Sequence, residues 1–79
     1  MGLIMKRIAK EIVFEGKKPS KRQVLAKVGF LAEIGISLIE VYWGENGLTF
    51  DKFNNQWHGW GWIKDISAAD IADQLNGNA

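Results

Sequence analysis

The chain contains no cysteine, and it has one histidine and one proline. Without cysteine there are no disulfides and no thiolate metal sites. That suits a reducing compartment, so the expected location is cytoplasmic. His58 alone cannot supply the ligand set of a zinc site. The motifs G-x-S-x-G, G-x-x-x-x-G-K-[ST] and H-E-x-x-H are all missing. Gly59-Trp60-Gly61 is a fragment of a dinucleotide fingerprint, without the third glycine or the following helix. Glu40 and Asp51 can approach each other across a sheet, and paired carboxylates can do acid–base work. On the solvated face of a meander such a pair is ordinary. The expectation is a non-enzymatic domain with no metal and no cofactor. No run approaches the roughly 18 apolar residues of a membrane span. The apolar start, Met1-Gly2-Leu3-Ile4-Met5, precedes Lys6 and Arg7, the reverse of a secretory signal.

What is present is aromatic. Four Trp, four Phe and one Tyr stand among 79 residues. A chain of this length makes one domain, 1–79, with disordered ends expected at 1–5 and 77–79. It buries only about 60–65% of its unfolded surface, so large side chains must build a dense core. Homo-oligomerisation is the other remedy for so small a core.

Charge is unevenly spread. Residues 1–27 hold eight basic side chains against Glu11 and Glu15, whereas residues 28–79 hold Lys52 and Lys64 against seven acidic ones. Such asymmetry suggests an anionic partner for the first part, unless the fold brings the halves together and neutralises them.

Hydropathy patterning predicts an α+β fold ordered β-α-β-β-β-α: an antiparallel meander sheet with two helices packed on one face. Residues 8–14 fit either a strand, with Ile8, Ile12 and Phe14 on one side, or a helix continuing the doublets Ile4-Met5 and Ile8-Ala9. The propensity of Ile12-Val13-Phe14, ended by Gly16, favours the strand. Ser20 and Gln23 form a capping box behind Pro19. Val24, Leu25, Val28, Leu31 and Ala32 make the helix's apolar stripe. Gly35 stops it, and Gly29 is a place where it could divide.

Asn46-Gly47 reads as a type I′ turn pairing Trp43 with Phe50 and Val41 with Lys52. The core face then carries Ile39, Val41, Trp43, Leu48 and Phe50. At the next turn, a three-residue loop Asn54-Asn55-Gln56 pairs Phe53 with Trp57 and puts Trp60 and Trp62 in the core. A two-residue loop would exchange the two faces; the first buries more aromatic area. Ser67 caps the last helix, Ile66 staples onto Ile71, and Ile71, Ala72 and Leu75 face inward before Gly77.

Two surfaces stand out. Lys17, Lys18, Lys21 and Arg22 surround the start of the first helix, with Lys27 one or two turns on. Bare amides, a cap hydroxyl and cations describe a phosphate site, so the leading expectation is binding to a nucleic-acid backbone or another polyanion. The bland alternative is a solvated lysine-rich loop. Ile12-Val13-Phe14-Glu15-Gly16-Lys17-Lys18, with Ser20, Leu25-Ala26 and Gly29, resembles the strand–turn–helix lead-in of small DNA-binding modules attached to homing endonucleases. The resemblance stops at residue 29, where the Ser or Thr before a recognition helix is missing, and it assigns no site.

The second surface is the outer sheet face, expected to gather Tyr42, Phe53 and Trp57 rimmed by Glu40 and Asp51. The acidic rim fits a protein partner or self-association as a homodimer better than nucleic acid. The alternative function is therefore a small protein-interaction module, inhibitor or regulator. Such a chain is also compatible with a phage or mobile-element origin.

Overall fold

A computed structural model describes residues 8–77. They form a mixed five-stranded sheet with two helices on one side, an α+β fold. The elements are β1 (Ala9–Phe14), α1 (Lys21–Glu33), β2 (Leu38–Trp43), β3 (Asn46–Phe53), β4 (Gln56–Ile63), β5 (Ile66–Ser67) and α2 (Ala68–Leu75). The strands lie in chain order. The ends expected to be disordered fall outside the described residues, apart from Gly77. No described helix is long and apolar enough to cross a membrane.

Residues 9–14 are a strand, and it departs from the expected antiparallel arrangement by running parallel to β2. The reason is the helix between them. A strand followed by a crossover helix returns the chain to the end where it started, so the next strand points the same way. The remaining neighbours are antiparallel.

The capping box is present: Ser20 Oγ accepts the Gln23 amide at 3.1 Å, and Gln23 Oε1 accepts the Ser20 amide at 2.8 Å. The helix ends in a Schellman motif. The Ile36 amide donates to the Leu31 carbonyl at 3.0 Å and the Gly35 amide to Ala32 at 3.2 Å, with Gly35 at φ +98°. Helix α1 runs through Gly29 unbroken. A Cβ at Gly29 would meet nothing within 4 Å. Gly29→Ala is therefore expected to stabilise the protein by about 0.5–1 kcal/mol, read as a raised urea midpoint.

Both hairpins turn elsewhere than expected. The first turn is Gly44-Glu45, not Asn46-Gly47. Gly44 takes φ +59° at the first central position, as a type II′ turn requires. Val41 now faces Leu48, and Ile39 faces Phe50. The two candidate turns differ by two residues, so each strand keeps its inward face. Gly47 serves a different need: a Cβ there would stand 3.2 Å from the Tyr42 ring, which lies over it.

The second turn is the two-residue Asn54-Asn55, with φ of +53° and +61°, the type I′ pattern that asparagine tolerates. Phe53 pairs with Gln56 rather than with Trp57. This exchanges the faces of β4. Trp57 and Ile63 enter the core with Gly59 and Gly61, while Trp60 and Trp62 face out. Burying more aromatic area did not decide the register, because α2 needs room. A Cβ on Gly59 would lie 2.3 Å from the Ala68 carbonyl oxygen.

A tight turn at Lys64 (φ +53°) leads into β5 and α2. Ser67 holds the N-cap position of α2 without a side-chain cap bond. The core joins Val24 and Val28 of α1, Ile39, Val41, Leu48 and Phe50 of the sheet, and Ile66, Ala68, Ile71 and Ala72 around α2. Asn76 follows α2 and lies along β4. Its Oδ1 accepts the Trp57 amide at 2.7 Å, and its Nδ2 donates to the Trp57 carbonyl at 2.9 Å.

Candidate interaction surface

Both helices pack on one face of the sheet, and no described element covers the other. Strand alternation determines what that open face carries. One cross-strand row runs Val13, Tyr42, Gly47, Trp62, and the next runs Glu11, Glu40, Thr49, Trp60. Leu38, Asp51 and His58 follow, and Phe53 and Gln56 close the sequence.

Large apolar side chains lie open here. Val13 is 61%, Phe53 57%, Trp60 56% and Trp62 67% exposed. The His58 ring stands between Phe53 and Trp60, with centroids 6.2 Å from each, and is nearly parallel to the Trp60 ring. His58 thus belongs to an aromatic row. The charged strand residues of this face are Glu11, Glu40 and Asp51, and no Lys or Arg of the strands shares it.

The Tyr42 phenol is held above its ordinary value of about 10. Desolvation is the first cause, followed by the charge of Glu40, its hydrogen bond with the phenol, and Glu11. A raised phenol contributes stability that is fully present below its unfolded value and is lost as pH rises through the folded one. Glu40→Gln is expected to lower this titration without returning it fully to normal. The chain has one tyrosine, so phenolate absorbance against pH reads it directly.

Of the three aromatics expected on this face, Tyr42 and Phe53 are there. Trp57 is not: at 7% exposure it lies in the core, a consequence of the two-residue turn. Trp60 and Trp62 take its place. The signal for them lay in their spacing. Glycines alternate with Trp60 and Trp62, and small residues, Ala68 and Ala69, open the following helix. That combination marks a strand whose glycine side meets a closely packed helix.

The basic residues lie apart from this face, around α1. Lys17, Lys21, Arg22 and Lys27 are exposed, and the first turn of α1 has no acidic residue. Lys18 is engaged in an ion pair with Asp65. That hydrogen bond, with one from the backbone, holds the Asp65 carboxyl below the usual carboxylate range. The small stabilisation from this exposed pair is present above the usual range and lost as pH falls below it. The Gln23 amide is taken up by the Ser20 Oγ, which keeps its own O–H free to donate, so of the groups expected at this helix start the Gln23 amide and Lys18 are already engaged within the chain.

No family model matches this chain, and neither the curated proteins nor the solved structures give a match.

Proposed function

We propose that this domain is a non-enzymatic binding module that holds a protein partner on the open face of its sheet. The observation that carries the reading is the pair Trp60 and Trp62, both more than half exposed, beside Tyr42, His58 and Phe53 on a face without helix cover. Exposed apolar patches of this kind mark interaction sites, and tryptophan and tyrosine are the side chains that most often dominate binding energy. Carboxylates are the charged groups on this face, and they disfavour a phosphate backbone there.

A second reading, docking of a nucleic-acid backbone on the helix layer, is favoured by Lys17, Lys21 and Arg22, which are exposed at the start of α1. Phosphate contacts of that kind would give affinity without sequence specificity.

One experiment separates them. A photo-crosslinker beside Trp62 in the full chain captures the partner in the cell of origin. The protein reading expects one protein in stoichiometric yield, lost in a Trp60→Ala/Trp62→Ala variant and retained in Lys21→Glu/Arg22→Glu. No protein captured at Trp62, together with binding of the full chain to nucleic acid that falls as salt rises and is lost in Lys21→Glu/Arg22→Glu, overturns it in favour of the second reading.

A further inference from the structure

We propose that two copies of this chain associate edge to edge through β1, merging their sheets into one. The two edges of the sheet are treated differently. At the β4 edge, β5 pairs with Trp62 and Ile63, and the Asn76 side chain satisfies both backbone groups of Trp57. At the β1 edge no described element pairs with the strand. The Ile8 carbonyl accepts the Ser37 and Leu38 amides on the β2 side. Alternation then turns the amides and carbonyls of Ala9, Glu11 and Val13 to the open edge. Unpaired strand groups of this kind are completed by another strand.

The flank of this edge sets apolar side chains among the charged Lys10, Glu11 and Lys27. A groove of about 580 Å³ runs between β1 and α1, lined by Lys10, Ile12, Ala26, Lys27, Phe30 and Leu31. Phe30 is 61% exposed, and Ile8, Val13 and Ile34 are also more than half exposed.

The sequence of β1 points to a second copy as the occupant. A two-fold axis normal to the sheet makes an antiparallel pair in which opposed residues share a face. Centring the axis on Lys10 or Glu11 opposes like charges. Centring it on Val13 opposes Glu11 to Glu15. Centring it on Ile12 avoids every such clash: Ile12 meets Ile12, Lys10 meets Phe14, and Glu11 meets Val13. The same register brings together the outward-facing groups, so Glu11 and Val13 of the second copy exchange both of their backbone bonds. The edge backbone, the exposed Phe30 and Ile34 and the stems of Lys10 and Lys27 make a small interface, of the class that associates weakly. Both aromatic faces then look the same way, as one continuous platform. This inference does not depend on what the platform binds.

Sedimentation equilibrium of the full chain, from micromolar to near-millimolar concentration, is expected to show a monomer passing to a dimer. Hydrogen exchange at the Glu11 and Val13 amides is expected to slow at least about tenfold as the dimer fills. Val13→Pro removes an amide that faces outward, which an edge strand tolerates. Phe30→Lys changes an exposed side chain. Each is expected to weaken association at least about tenfold, or about 1.4 kcal/mol. A monomer throughout, a dimer unaffected by Phe30→Lys, or exchange at Glu11 and Val13 that ignores concentration overturns the proposal. Should Val13→Pro fail to fold, Phe30→Lys and the exchange rates still decide.

Discussion

Gly61→Ala is expected to destabilise the domain by about 3–5 kcal/mol, a large share of what a chain this size holds. Two separate effects combine. Gly61 sits at φ +100°, a backbone conformation that costs an L side chain on the order of 1–3 kcal/mol. Its missing Cβ would also stand 2.4 Å from the Gly47 carbonyl oxygen. That oxygen belongs to the neighbouring strand's backbone, so it cannot swing aside like the end of a flexible side chain. Gly59→Ala has the contact without the positive φ and should cost about 1–3 kcal/mol as the start of α2 is pushed off the sheet. Urea denaturation followed by tryptophan fluorescence measures both. A loss under about 1 kcal/mol at Gly61 would mean that β3 and β4 do not approach as closely as described.

The second large effect distinguishes the tryptophans of β4. Trp57 is buried between β4 and α2, and Trp57→Ala is expected to cost about 3–5 kcal/mol. Trp60→Ala and Trp62→Ala remove exposed rings and should each cost under about 1 kcal/mol. Fluorescence gives a further check, since quenching by a polar solute should reach Trp60 and Trp62 and spare Trp57. The three residues lie within six positions of one strand. Had the second turn contained three residues, Trp60→Ala and Trp62→Ala would be the damaging changes and Trp57→Ala the mild one. The ranking of the three losses therefore tests the hairpin register directly.

Local chemistry made much of this fold legible in the sequence. A capping box needs only Ser20 and Gln23 three residues apart, and a Schellman stop needs only a glycine at the right place. Both signals lie within one turn of helix, and both motifs are present in the structure. The inward face of β2 and β3 was also recovered, because moving the turn by two residues leaves the faces unchanged. What escaped were decisions made between distant parts of the chain. Asn46-Gly47 has the composition of a turn, yet Gly47 is needed beneath the Tyr42 ring. Asn54-Asn55 could close a loop of two residues or three, and the choice lies with Ala68, nine residues beyond Gly59. A count of buried aromatic area favours the wrong alternative, because it omits the backbone approach that glycine permits.

The candidate surface inherited those errors. Tyr42 and Phe53 were placed correctly because they belong to strands whose faces were secure. Trp57 was misplaced and Trp60 and Trp62 missed because all three depend on the second turn. The basic residues were visible from charge alone. That Lys18 would be tied to Asp65, some forty-seven positions away, was not, since no local pattern links the β1–α1 loop to the turn before β5.

Asn76 also has a consequence for synthesis. It completes the backbone bonding of Trp57, but it is translated nineteen residues later. Until Asn76 docks, a chain that has formed its last hairpin still offers the Trp57 amide and carbonyl to any strand nearby. The fold is therefore open to mispairing at this edge until its final helix has docked, and a truncation ending before residue 76 would make that state permanent.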